Sequence, residues 1–340
     1  MALLDVKDLK TYFRTDDGIV KAVDGVSFSV EKGQTLGIVG ESGSGKSVTC
    51  LTIMGLNPKK NTISSGEARF KDEDLLHMSP RRLRQIRGND IAMIFQDPMT
   101  SLNPVHKIGD QLAEAVLLHQ DVTKKQAKTQ ALELLKAVGI PRAERRLGDY
   151  PHQFSGGMRQ RVMIAMALVN DPDVLIADEP TTALDVTTQA QILTLMNNLQ
   201  KDFDSAIIII THDLGVVAET ADDVVVMYAA EVVEQGSVDS IFRRPHMPYT
   251  WGLLGSLPRL DTDLERLVQI KGQPPSLLNP PQGCRFHPRC PYVMDICKKE
   301  DPPLKPVTDD PAHLAACHLD EETKDREAQK LIEGTLAAAS

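Results

Sequence analysis

The chain has 340 residues, 41% apolar and 25% charged, the balance of an ordinary folded protein and long enough for one large domain plus an appendage. Lysine and arginine total 38 against 47 aspartates and glutamates, a net charge of −9, the wrong sign for coating nucleic acid by counterion release, so no nucleic-acid partner is expected. The opening MALLDVKDLKTYF carries acids and no long apolar run, against a signal peptide, and the aliphatic stretch Ala206 to Ile210 falls far short of the roughly 20 residues that cross a bilayer. A cytoplasmic, reducing setting is expected, where cysteines are rarely disulfides.

Along the chain, short apolar runs alternate with helix-period segments, the pattern of a sheet covered by helices. Val23 to Val30 alternates like a strand, and Thr35 to Gly40 reads as a buried one. Further buried strands are expected at Ile91 to Phe95, Asp173 to Asp178 and Ala206 to Thr211. Between them, Thr123 and Gln126 stand at capping-box spacing before a helix with Ala127, Ala131, Leu134, Leu135 and Val138 on one face, and Gly139 supplies its stop. A second amphipathic helix carries Ile192, Leu195, Met196 and Leu199. After Ser237 the texture becomes proline-rich, which resists helix interior and central strand, so a boundary is expected near 235 to 260. The resulting division is 1–240, with helices concentrated at about 100–160, then 241–325, then a tail of 326–340.

Two segments carry chemistry. GESGSGKS, Gly40 to Ser47, fits G-x-x-x-x-G-K-[ST] with a strand running in and an apolar helix from Val48 running out. The glycines let backbone N–H groups crowd a β-phosphate, the helix start adds a positive dipole end, Lys46 bridges β- and γ-phosphates, and Ser47 holds Mg²⁺. Gly40, Ser42, Gly43, Ser44, Gly45, Lys46, Ser47 and Val48 are therefore the nucleotide-holding set. VLIADEP then places two carboxylates at the end of a buried strand, where acids are costly unless they serve a cation or a water. Asp178 as Mg²⁺ partner and Glu179 as the base that orients water are the natural roles.

The residues Phe154 to Val162, FSGGMRQRV, resemble the signature of ATP-binding-cassette ATPases, and further cassette elements follow in order. Gln96 in IFQD matches the Q-loop, Ala183 to Asp185 the D-loop, and His212 the switch histidine; Phe13, or else Tyr12, sits where the family stacks an aromatic on adenine. Alone, Gln96 or His212 would read as an ordinary hydrogen-bonding group and SGG as a turn; their joint order overturns that. The resemblance implies an α/β fold of the ABC type: a P-loop ATPase with a parallel core sheet, an antiparallel β subdomain and an α-helical subdomain, here followed by a small cysteine- and proline-rich C-terminal extension. It also implies that Gln96 joins the Mg²⁺ site, that His212 stabilises the γ-phosphate, and that Ser155, Gly156 and Gly157, with Asp185, meet ATP on an opposite subunit. The family's usual signature has Leu and Gln where this chain has Phe154 and Met158, and Ala230 stands where relatives usually carry Gly in a hairpin turn.

Met93 to Pro104 and Arg243 to Pro258, with His246, Met247, Pro248, Tyr249 and Thr250 in an HPYT-like motif, resemble the ATP-binding subunits of bacterial peptide and nickel importers. That resemblance implies a peripheral subunit on the inner face of the cytoplasmic membrane. Its implied partners are a second similar ATPase, expected to form a heterodimer with this chain, two permeases and an extracytoplasmic binding protein. The cargo is a di- or oligopeptide, with nickel or glutathione as alternatives; a soluble cassette ATPase outside transport is the rival class. Cys284, Cys290, Cys297 and Cys317, separated by five, six and nineteen residues, have no C-x-x-C spacing. Some relatives carry a four-iron four-sulfur (4Fe-4S) cluster on cysteines spaced like these, which implies that cofactor here, with zinc on Cys₄ or on three cysteines plus His287, His313 or His318 as the alternative. Cys50 reads as a small core residue.

Overall fold

The computed structural model describes residues 2–97, 101–181, 184–256 and 270–333. Met99 and Thr100, Ala183 of the D-loop, Leu257 and Pro258, the side chain of Leu199 and residues 334–340 of the tail lie outside the described residues. The strands are β1 (Leu4–Thr15), β2 (Gly18–Val30), β3 (Thr35–Val39), β4 (Thr62–Phe70), β5 (Glu73–Asp74), β6 (Ile91–Ile94), β7 (Val174–Asp178), β8 (Ala206–Thr211), β9 (Asp223–Tyr228), β10 (Glu231–Ser237), β11 (Lys305–Val307) and β12 (Asp310–Ala315). The chain divides into two compact units, each assembled from separate stretches of sequence.

One unit comprises Glu31–Gln34 and Met78–Ile210. Within it β6, β7 and β8 run parallel, with Ile91 opposite Val174 and Val174 opposite Ala206. Every residue of β7 and β8 is buried, which is why both read as near-continuous aliphatic runs instead of alternating ones. The helix Lys124–Ala137 opens on the expected capping box: Thr123 accepts from the Gln126 backbone N–H and Gln126 accepts from the Thr123 N–H. Ala127, Ala131, Leu135 and Val138 are buried, Leu134 is half-buried, and Gly139 ends the helix at φ 72°. In the helix Val186–Phe203, Ile192 and Met196 are buried as expected, and Leu193, outside the expected set, is buried too.

The other unit comprises Ala2–Val30, Thr35–His77 and the chain from Thr211 onward. It holds an antiparallel sheet in the order β2-β1-β4-β5. Here β2 begins at Gly18, not Val23, because its first residues pair with β1 along a half-exposed ribbon where strict alternation is not required. A second set of strands pairs β3 in parallel with β9, then β9, β10, β12 and β11 antiparallel. The proline-bearing β11 and β12 were not legible as strands: Pro306 and Pro311 sit in short pieces beyond β10, where a missing N–H is tolerated. Helix Glu321–Ile332 follows, running through residue 325.

The β9–β10 hairpin turns on Ala229 (φ 47°) and Ala230 (φ 76°), both left-handed as a type I′ turn demands. Three bonds hold it there: Ala230 N–H donates to Ser44 O (3.0 Å), Asp24 N–H donates to Ala230 O (2.8 Å), and Arg285 Nη1 donates to Ala229 O (2.6 Å). A left-handed L-residue costs about 1–2 kcal/mol, so Ala230→Gly is expected to raise stability by about 1 kcal/mol after the added chain entropy is deducted. In a thermal melt that is a midpoint higher by about 2–4 °C; an unchanged or lower midpoint would show that the methyl group is packed usefully.

Candidate nucleotide site

In the second unit, β3 delivers the chain to the loop Gly40–Ser47 and the helix Lys46–Ile53 carries it away. Gly40, Gly43 and Gly45 have φ of 147°, 78° and 103°. A Cβ on Gly40 would lie 2.1 Å from the Met227 carbonyl oxygen, and one on Gly45 2.4 Å from that of Ala22, so both glycines are required by close backbone approach. Gly43 faces open space, with nothing within 4 Å of its added Cβ, and needs glycine for its φ alone. No side chain caps the helix that follows, in contrast to the helices begun by Ser155, Asp185 and Asp213. An uncapped helix start beside a glycine loop is suited to an anion.

Lys46 is 5% exposed, and its Nζ donates to the carbonyls of Gly40 (2.7 Å) and Glu41 (3.0 Å). Its ammonium is thereby held against the loop, the position from which a lysine serves phosphate oxygens. Glu41 is itself fixed from the C-terminal extension: its N–H donates to Tyr249 Oη (2.8 Å), and its carboxylate takes both ends of the Arg289 guanidinium (2.6 and 3.0 Å). Burial pushes the Tyr249 phenol up, so it stays neutral beside Glu41. Neither Glu41 nor Arg289 was singled out by the sequence reading, because the loop motif leaves its second position free and Arg289 lies among cysteines 248 residues later.

Of the two candidate aromatics, Tyr12 is committed elsewhere. Its hydroxyl donates to Asp24, which also takes Arg285, and Lys21 Nζ lies 5.7 Å from its ring centroid. Burial, with Asp24, pushes the Tyr12 phenol up to about 12. Phe13, next along β1, projects to the opposite face and is half-buried. His212 follows β8 directly and is exposed; the next residue, Asp213, caps the helix Leu214–Thr220.

The remaining candidates belong to the first unit. Gln96 Nε2 donates to Glu179 Oε2 at 2.9 Å, so these two are brought together. Glu179 sits at φ 47°, a conformation costing about 1–2 kcal/mol for such a residue. It is held there by a bond from its N–H to Ile210 O (2.8 Å) and by Gln160, whose buried amide donates to Pro180 O (2.6 Å). Strain kept in place by its surroundings at a carboxylate is a mark of a functional position. Asp178, one residue earlier in β7, is 6% exposed. Gln160, in the helix Gly156–Leu168, was missed by the sequence reading; its only signal was a polar residue on a face otherwise apolar.

Ser155 caps that helix, accepting from Met158 N–H (3.3 Å), and Gly156 meets nothing within 4 Å. A Cβ on Gly157 would stand 2.9 Å from Thr188 Cγ2. Ser155 and Gly156 are exposed, whereas Phe154 is 2% exposed and has the Arg146 guanidinium 5.6 Å from its ring centroid. The Phe154 departure from the usual signature is thus a matter of packing beneath the helix start. Asp185 caps the helix Val186–Phe203, and the Thr188 N–H and hydroxyl bonds hold its carboxyl below the usual range.

Cys284, Cys290, Cys297 and Cys317 gather in the second unit as free thiols. Three of them pack against the core that contains Tyr228, Tyr249, Trp251 and Phe286. Burial pushes Cys284 and Cys290 up to about 12 and Cys317 up to about 11, and neighbouring thiols add to each shift. Among the described residues no group of three or more His, Cys, Asp or Glu could hold a metal ion as arranged. This bears on the iron–sulfur cluster and on zinc alike, and the histidines named for the zinc alternative have other contacts. His287 Nδ1 meets Cys284 O (3.0 Å), His313 Nε2 meets Glu234 Oε1 (2.8 Å), and His318 Nε2 meets Glu300 O (3.0 Å). Cys50 is fully buried in the helix after the loop, as expected of a core residue.

A glycine loop between a buried strand and an uncapped helix, with a lysine turned into it, defines a P-loop nucleotide-binding protein. Residues 23–182 match the family described as ABC transporter, and residues 233–297 match the oligopeptide/dipeptide transporter C-terminal region. The dipeptide transport ATP-binding protein DppD of Lactococcus lactis is 56% identical, covering 93% of this chain and 90% of its own. The oligopeptide transport ATP-binding protein OppD of Escherichia coli is 52% identical over 93% of each. Among solved structures, the dimeric ATP-binding cassette MJ0796 with ADP and Pi superposes with a TM-score of 0.62 at 26% identity, over 69% of this chain and 98% of its own. The chain belongs to the ABC transporter ATPases that carry the oligopeptide/dipeptide transporter C-terminal region.

Proposed function

We propose that this chain hydrolyses ATP to drive the import of di- or oligopeptides across a membrane. The observation that carries the reading is the Gly40–Ser47 loop, shaped by Gly40 and Gly45 around the buried Lys46, in a chain similar over nine-tenths of its length to peptide-transport ATP-binding proteins. The loop N–H groups and Lys46 hold the β- and γ-phosphates, with Ser42, Gly43, Ser44 and Val48 completing the wall and Phe13 stacking on adenine. As the resemblance implies, Ser47, Asp178 and Gln96 would be the oxygen donors for Mg²⁺, which would supply charge neutralisation on the phosphates. Glu179 orients and deprotonates the attacking water, steadied by the Gln96 amide, and His212 donates to the γ-phosphate. Ser155, Gly156 and Gly157, at the exposed helix start, receive the γ-phosphate of ATP bound to a second subunit, and Asp185 contributes to the same junction. Hydrolysis removes the shared phosphate and lets the pair of subunits open.

No described helix is long and apolar enough to cross a membrane. From the similarity to peptide-transport ATP-binding proteins we infer a peripheral subunit on the cytoplasmic face of the bacterial inner membrane. It pairs with a second ABC ATPase as a heterodimer and with two permeases, and an extracytoplasmic protein delivers the cargo. Uptake of labelled dipeptides, oligopeptides, nickel and glutathione by vesicles holding the assembled transporter tests this. ATP-dependent peptide uptake lost on Lys46→Ala is expected; uptake of nickel or glutathione alone would reassign the cargo.

The iron–sulfur expectation rests on the resemblance and on one observation: Cys284, Cys290 and Cys317 are buried thiols close enough to other cysteines for these to add to the upward push of burial on their pKa values. Four cysteines suit a cluster, with zinc as the alternative, and no step of the ATPase is routed through either. Iron and sulfide assay after anaerobic purification decides: about four of each per chain establishes the cluster, and none retires it.

A further inference from the structure

Peptide-type cassettes carry an extension that the phosphate chemistry does not require, and here that extension reaches the phosphate loop itself. We propose that Arg289 and Tyr249 are positioning residues for ATP: they clamp Glu41, and through it Lys46, so that the C-terminal extension sets nucleotide affinity. The inference rests on the reading of Gly40–Ser47 as the phosphate site.

Glu41 is the second residue of the loop, and its polar groups are fixed from two directions. Its N–H is taken by Tyr249 Oη (2.8 Å) and its carboxylate by both ends of Arg289, while its carbonyl accepts from Lys46 Nζ (3.0 Å). The lysine that must meet the phosphates therefore leans on a residue whose place is decided more than 200 residues downstream. Both clamping groups are themselves immobilised. The Arg289 side chain is 5% exposed; its Nε donates to Lys271 O (2.9 Å) and its Nη2 to Ile270 O (3.3 Å) and Gly272 O (3.2 Å). Its guanidinium also lies 5.8 Å from the centroid of Tyr228, whose ring packs 4.6 Å from that of Tyr249. Tyr249 is fully buried in the first turn of the helix Pro248–Gly255, which begins with proline and so has a fixed entry. A planar guanidinium bound at both ends fixes direction as well as distance, which a lysine at this place would not do.

Arg289 stands beside Cys290, and Cys284 precedes Arg285, the residue that holds Ala229 O behind the same loop. Any event that rearranges the cysteine segment would thus move two arginines that brace the phosphate loop. A clamp of this kind predicts a change in affinity more than in turnover, since neither Arg289 nor Tyr249 touches the reacting atoms.

The test is titration of the full chain with a fluorescent ATP analogue, with KM and kcat measured in the assembled transporter. Arg289→Ala is expected to weaken binding and raise KM for ATP by about tenfold, with kcat at saturating ATP within about twofold. Tyr249→Phe, which removes only the hydroxyl, should act in the same direction to a smaller extent. Glu41→Ala combined with Arg289→Ala should be no worse than the more damaging single change, because the two act through one contact. Should Arg289→Ala fail to fold, Arg289→Lys and Tyr249→Phe carry the test. Unchanged ATP affinity in folded variants, with only the melting midpoint lowered, overturns the clamp and leaves a structural brace. Failure of the unaltered chain to bind the analogue is a different result, and overturns the nucleotide site itself.

Discussion

Glu179→Gln is expected to leave ATP binding intact and to lower hydrolysis by about 10²–10⁴-fold, the range for removing a positioned general base. The carboxylate is held by the Gln96 amide at 2.9 Å and sits at φ 47°. Glutamine keeps the shape and the same backbone strain, so stability should move by less than about 0.5 kcal/mol and any loss is chemical. With hydrolysis stopped, ATP continues to bridge the paired subunits, and a closed dimer should accumulate in size-exclusion chromatography with ATP and Mg²⁺. Phosphate release near the unaltered rate in the assembled transporter would remove Glu179 from its role.

Gly45→Ala should abolish nucleotide binding and lower stability by about 2–4 kcal/mol, the scale of a strained backbone combined with overlap. The added Cβ would meet the Ala22 carbonyl at 2.4 Å at a φ of 103°, and neither the strand nor the loop can yield without displacing Lys46, the next residue. Gly43→Ala is the contrasting variant. Its φ of 78° is unfavourable, but its Cβ meets nothing within 4 Å, so only the strain of about 1–2 kcal/mol applies. Calorimetry of ATP binding and a thermal melt on both variants separate the two cases; equal losses would show that φ, not close approach, dominates the loop.

Much of the local structure was legible because local rules decide it. The β7 and β8 runs are aliphatic from end to end since both faces are covered, and the Thr123–Gln126 capping box writes a helix start into four residues. The edge strand β11 and its neighbour β12 were not legible, as prolines in short segments signal loop until a neighbouring strand is known. The cysteines illustrate the same limit: sequence shows four thiols, whereas how they face one another is a tertiary fact, and among the described residues they form no group arranged to hold a metal.

By itself, the sequence determined that this protein has a phosphate loop and an acid pair at a strand end, and a Ser-Gly-Gly segment resembling a family signature, because each is a contiguous segment whose residue types can be read locally. Only the tertiary structure decided what braces them. Gln160 reaching Pro180 O, and Arg289 and Tyr249 reaching Glu41, are contacts between residues 20, 248 and 208 positions apart. No periodicity or spacing encodes such pairs, since the intervening chain can be of any length once its ends are brought together by a common core.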